Sequence, residues 1–336
     1  MHPRPVVRTS PVTTVPRPFL PDEPPPWEEV RELRYGGYRY DCRVLHQPRA
    51  RTEPVLVLGG AAQDKYSWAR QEPEVTRHAT MIAVDLPGWG AWDAPPAHYG
   101  MDFLADAVRH AMDELGVARV TLVGACYGGT IGLRLAQRSP GRIARLLLVS
   151  TAHVLPEDVR ATLRQTVTLL RRGDQEAFAA LLTEVLASAE ETGTVRRRGA
   201  VVRLLRRQFQ RMDAAQTARF VENTERLLLH PLYRPDPLPP VPTMFLYGVL
   251  DRFTCPDRGA ELAATLPGCL HTTMHSTGHM LTLERPELFT ELLVRFATDR
   301  PFDDLPSCTT RRTPATARAR ERGGEVRGHG NGDRGA

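Results

Sequence analysis

Lysine, paired cysteine and long apolar runs are what this chain has least of. Its five cysteines, at 42, 126, 255, 269 and 308, are an odd number without a C-x-x-C step. That pattern excludes both a disulfide framework and a thiolate metal site, and it suits a reducing cytoplasm. No window approaches the ~18 to 20 consecutive apolar residues of a membrane span, and the proline-rich residues 1–26 contain no apolar signal core. A soluble protein with no membrane partner is expected. Lys65 is the only lysine. The net charge of +5 gathers in the tail, because residues 311–336 carry seven arginines against three acidic residues, or +4. A basic tail on a nearly neutral body lacks the folded basic face of a nucleic-acid binder, so no nucleic-acid partner is expected. Neither G-x-x-x-x-G-K nor a G-x-G-x-x-G after the first strand occurs, and no metal-ligand spacing is present. A cofactor-free protein follows.

The 336 residues suit one catalytic domain with an insertion. Residues 1–26 have no hydrophobic period and read as a disordered arm. Alternating residues over 30–35 and 38–45, separated by Gly36-Gly37, predict an antiparallel hairpin. Continuous apolar runs at 55–58 and 80–84 predict strands covered on both faces, and strand pattern recurs at 120–123, 143–150, 241–247 and 269–274. Leu104, Val108, Ala111, Met112 and Leu115 recur at helical spacing between two of them. Strands alternating with helices indicate an α/β fold with a mainly parallel sheet, its active groups at the carboxyl ends of the strands. The core is placed at 27–154 and 231–299. Between them, residues 155–230 lose the strand signal and read as a helical lid, with Gly173-Asp174 as a stop and a cap. From 300 to 336 the chain is arginine- and glycine-rich and is assigned no structure.

Around Cys126 the sequence is most specific. Val120-Thr121-Leu122-Val123 forms a buried strand, Gly124-Ala125-Cys126-Tyr127-Gly128-Gly129 a tight turn, and residues 130–138 a helix whose N-terminus aims at the cysteine. G-x-C-x-G in this context is a nucleophile elbow with cysteine in place of serine.

Residues 27–298 resemble the α/β-hydrolase superfamily, on five motifs in order. These are Gly59-Gly60-Ala61-Ala62-Gln63 after the third strand, Asp85-Leu86-Pro87-Gly88-Trp89-Gly90 after the fourth, the elbow, Gly248-Val249-Leu250-Asp251, and Thr277-Gly278-His279-Met280. The resemblance implies the α/β-hydrolase fold and a triad of Cys126, Asp251 and His279. Chemically, an imidazole removes the thiol proton and stabilises the thiolate, which makes His279 the base, with His275 its rival. A carboxylate on the other ring nitrogen fixes the tautomer, and Asp251 sits where the superfamily places it. The backbone N–H groups of Tyr127 and, by resemblance, Ala61 would form the oxyanion hole, with Gly60 and Gln63 lining the pocket. The loop departs from the common His-Gly start, which leaves the second donor open by one residue. Asp85 to Gly90 reads as a structural turn.

Cysteine at the elbow is similar to dienelactone hydrolases and polyhydroxyalkanoate synthases. Size, loop and lid are similar to α/β-hydrolases of actinomycete polyketide pathways, including those that eliminate an acyl group in tetronate formation. The expected function is hydrolysis or acyl transfer on a small acyl, ester, thioester or lactone substrate. Two alternatives stand beside it: a lyase that eliminates an acyl group such as acetate, and a catalytically inactive binding protein. Arg196, Arg197, Arg198, Arg203, Arg206, Arg207 and Arg211 crowd one lid segment. They read as a solvated face, or as a docking surface for an acidic acyl carrier protein or a pocket rim for an anionic substrate.

Overall fold

A computed structural model describes residues 27–187, 195–236, 238, 240–302 and 304–314. The arm 1–26, residues 188–194 of the lid and the tail from 315 lie outside the described residues. The strands are β1 (Trp27–Tyr35), β2 (Tyr38–His46), β3 (Val55–Leu58), β4 (Met81–Asp85), β5 (Val120–Ala125), β6 (Ile143–Val149), β7 (Thr243–Gly248), β8 (Leu270–Met274) and β9 (Cys308–Arg312). They form one sheet in the order β1-β2-β4-β3-β5-β6-β7-β8-β9. The stretch from β4 to β8 is parallel, while β1, β2 and β9 are antiparallel to their neighbours. The helices are α1 (Glu72–Val75), α2 (Met101–Glu114), α3 (Tyr127–Arg138), α4 (Glu157–Arg171), α5 (Gln175–Leu186), α6 (Arg198–Gln210), α7 (Ala214–Leu229), α8 (Pro256–Ala263), α9 (Leu281–Glu284) and α10 (Pro286–Ala297).

Successive side chains of a strand point to opposite faces, and here both faces are covered. Leu56, Ile82, Leu122, Leu146 and Phe245 join Leu104, Val108 and Leu135 of α2 and α3 in one apolar layer. Val57, Ala83, Val123, Leu147 and Leu246 meet Phe289, Leu292 and Phe296 of α10 in the other. This explains why the central strands read as unbroken apolar runs.

The expectation of no structure from residue 300 is corrected at β9. That strand pairs with β8 from Met274↔Cys308 to Leu270↔Arg312, and the Thr272 and Thr310 hydroxyls meet at 3.1 Å. Most of its residues are exposed. Such an edge strand is held by main-chain bonds to its neighbour, so it carries no apolar alternation to read.

In the insertion, α4 buries Val159, Leu163, Val167 and Leu170. Helix α5 starts on Asp174, whose side chain accepts from the Ala177 N–H at 3.1 Å. A capping box of Asp213 and Gln216 opens α7. Leu170, Phe178, Leu182, Val201, Leu205, Phe209 and Phe220 make a separate apolar cluster. Helix α7 is also tied to the core: buried Arg226 donates to the Tyr99 carbonyl at 2.6 Å and to the Pro95 carbonyl. Asn223 donates to the Gly88 carbonyl at 2.9 Å.

Candidate active site

Strand β5 turns into α3 at Cys126, whose backbone sits at φ 51°, ψ −111°. A left-handed φ on a non-glycine residue costs on the order of 1–3 kcal/mol and persists only where its surroundings impose it. Here the surroundings are backbone. A Cβ on Gly124 would press on Gly128, and one on Gly128 on the carbonyls of Leu58 and Gly59. The Cys126 N–H donates to the Val149 carbonyl at 2.8 Å and its carbonyl accepts from the Gly129 N–H at 3.0 Å, which locks the turn.

His279 lies in the loop between β8 and α9, and its Nδ1 is 3.0 Å from Asp251 Oδ2. Both side chains are buried, with 4% and 0% of their surface exposed. Asp251 sits just past β7. Its Oδ1 accepts from the N–H groups of Phe253 and Thr254, each at 3.0 Å, and its Oδ2 from the Thr254 hydroxyl. Burial pushes the Asp251 carboxyl up, but His279 and Thr254 together bring it below the usual range. Burial pulls the His279 imidazole down, and the Asp251 carboxylate and the Cys126 sulfur overcome it, holding the ring well above 6.5. An ionised carboxylate on Nδ1 leaves Nε2 as the working nitrogen. The Phe253 ring meets His279 edge-on at 5.1 Å, and the Ser150 hydroxyl donates to the His279 carbonyl at 3.3 Å. His275, the rival base, is exposed and bonds Thr309 of β9 at 2.8 Å.

Residues 59–63 reach the elbow from the other side. A Cβ on Gly60 would lie 3.5 Å from Cys126 Cβ. The Gly60 N–H donates to Gln63 Oε1 at 2.7 Å, and its carbonyl accepts from the Gln63 N–H at 3.1 Å. Gln63 thus spends its side-chain oxygen closing the loop, where the sequence suggested an amide lining the pocket. Tyr127 begins α3, and its side chain is buried. The first N–H groups of a helix have no partner within it. Ala61, Ala62, Met280 and Leu283 pack against the apolar cluster of the insertion.

Five contributors were not singled out from the sequence. Thr254 and Ser150 support the Asp251–His279 pair. Trp89, in the turn read as structural, donates to the Gly60 carbonyl at 3.1 Å. Glu284 accepts from the Gly278 N–H, and Lys65 bridges Asp41 and Asp85. Only Thr254 has a local signal, an aspartate followed three residues later by threonine. Among the described residues no group of three His, Cys, Asp or Glu side chains is placed to hold a metal ion, and no helix is long and apolar enough to cross a membrane.

A profile of the alpha/beta hydrolase fold matches residues 53–286, well over half of the chain. The chain belongs to the α/β-hydrolase fold family. An uncharacterised protein of Mycobacterium tuberculosis is 26% identical over 290 residues, 82% of each chain. A putative carbamate hydrolase of Pantoea ananatis is 25% identical over 265 residues, 75% of this chain and 90% of its own. Among solved structures, the enol-lactonase of Burkholderia xenovorans superposes with a TM-score of 0.66 at 24% identity, covering 80% of this chain and all of its own. As a member of this family, the protein is an enzyme of the hydrolase type.

Proposed function

We propose that this α/β-hydrolase cleaves an ester, thioester or lactone through a covalent cysteine intermediate. The observation that carries the reading is the placement of Cys126 on the strained elbow, with His279 between its sulfur and buried Asp251. His279, its Nδ1 held by the Asp251 carboxylate, takes the Cys126 proton on Nε2 as the general base and leaves a thiolate beside an imidazolium. The thiolate attacks the substrate carbonyl carbon, and the carbonyl π electrons move onto oxygen. The N–H groups of Tyr127 and Ala61 receive that oxyanion. Collapse expels the alkoxide or thiolate, which takes the His279 proton, and leaves an acyl-thioester on Cys126. Water then gives its proton to His279 and adds to the thioester carbonyl. The second collapse releases the acid, and the sulfur leaves as thiolate.

The apolar cluster over Ala61, Ala62 and Met280 favours acyl groups without charge. Phenylacetyl and butyryl p-nitrophenyl esters should therefore turn over at least tenfold faster than the succinyl hemiester. C126A should lose at least 1000-fold in kcat, and mass spectrometry of wild type quenched in turnover should find the acyl mass on the peptide holding Cys126. Full activity in C126A, or an acyl group trapped elsewhere, would refute the mechanism.

A further inference from the structure

Residues 59–65 form a connecting loop with little bulk of its own, yet they stand against the elbow. The lid holds its middle, where Gln208 Nε2 donates to the Ala62 carbonyl at 2.5 Å, and the end of β4 with the turn that follows holds its two ends. At the near end, Trp89 Nε1 donates to the Gly60 carbonyl at 3.1 Å, while its buried ring meets Tyr127 edge-on at 5.0 Å. At the far end, the Lys65 N–H donates to Asp85 Oδ1 at 2.8 Å. The Lys65 ammonium reaches Asp85 Oδ2 at 2.9 Å and Asp41 Oδ2 at 3.0 Å. Asp41 and Asp85 face each other in the β2–β4 register. Two buried like charges directly opposite would repel, and the only lysine of the chain lies between them. The loop is therefore tied at both ends to an element that also presses on Tyr127.

We infer that Trp89, Lys65 and Asp85 are positioning residues that hold loop 59–65 against Cys126, aiming its N–H groups at the substrate oxyanion. The inference rests on the reading of Cys126 as nucleophile. It concerns groups that do not touch the reacting atoms, so its test must separate aiming from general support. A misplacement of about 1 Å costs roughly 100-fold in rate, and loss of one oxyanion donor costs about 100- to 1000-fold. Alkylation of Cys126 by iodoacetamide passes through no oxyanion and needs only the thiolate.

W89F keeps an aromatic ring, smaller than the indole, and deletes the donor. D85A removes the acceptor for the Lys65 N–H and leaves a neutral Lys65–Asp41 pair, whereas D85N retains an acceptor oxygen. On a p-nitrophenyl ester, W89F and D85A should lose tenfold or more in kcat with KM within threefold. Binding of the matching aldehyde, which forms a hemithioacetal oxyanion, should weaken by a similar factor. Iodoacetamide should alkylate Cys126 in both within twofold of the wild-type rate, and D85N should recover most of the activity. Should D85A fail to fold, W89F decides alone. Wild-type kcat in W89F, or alkylation falling in step with kcat, would overturn the inference. Failure of the underlying reading looks different: C126A would stay active and alkylation would not inactivate the wild type.

Discussion

Replacing Glu284 with glutamine should abolish a loss of stability that the native protein suffers as pH rises from 5.5 to 8. The carboxyl is 1% exposed. Its Oε2 accepts from the Gly278 N–H, and its Oε1 is buried without a hydrogen-bond partner. Burial pushes it from an ordinary 4.5 up to about 7, against the pull of the Gly278 N–H and of His279. With the folded pKa above the unfolded one, the folded protein holds the extra proton between the two values. Stability is therefore complete below about 4.5 and is lost as pH climbs through about 7. The full window corresponds to about 3 kcal/mol, and about 2 kcal/mol of it falls between pH 5.5 and 8. Glutamine keeps an acceptor for Gly278 and cannot ionise. Asp85 titrates in both proteins and drops out of the difference to first order. Urea unfolding at half-unit pH steps measures it directly: the wild-type midpoint should fall relative to that of E284Q across this range. Parallel midpoint curves would refute the reasoning, because a buried carboxyl that ionises without cost is not desolvated.

The remaining predictions concern the thiols and the lid. Iodoacetamide near pH 6.5 should label Cys126 ahead of Cys269 and Cys308, whose thiols burial pushes up to about 12 and about 11, and ahead of Cys42, which burial also raises. Peptide mass mapping checks the order, and labelling unchanged in H279A would count against the ion pair. Arg197, just before α6, already pairs with Glu287 and Arg206 on α6 with Glu176, whereas Arg203 and Arg207 are exposed. If an acidic carrier protein delivers the acyl group, R203Q/R207Q should raise KM for carrier-bound substrate about threefold to tenfold at low salt. The two proteins should converge above ~0.5 M salt, where charges are screened within a few ångströms. Equal KM values at low salt would leave α6 as a solvated face.

Local sequence determined a great deal of this protein. Unbroken apolar runs, helical spacing in α2, the Gly36-Gly37 turn and the glycines about Cys126 each act through neighbours a few residues away, so composition and period suffice to read them. Cys126, Asp251 and His279 were picked out by motifs that stand at strand ends, and the fold brings His279 to within 3.0 Å of Asp251. Distance in sequence hid the rest. Strand β9 exists because β8 offers an unpaired edge, and nothing in Cys308-Thr309-Thr310-Arg311-Arg312 announces that edge. Trp89 and Gly60, 29 residues apart, meet only when β3 and β4 lie side by side. Lys65 looks like a solvated lysine until β2 pairs with β4 and sets Asp41 opposite Asp85. Glu284 reads as a surface acid on a short helix, and only the packing of α9 beneath the His279 loop removes its water. Elements and reactive residue types follow from local physics; which distant groups become buried together, and so which charges shift and which loops are held, only the folded sheet decides.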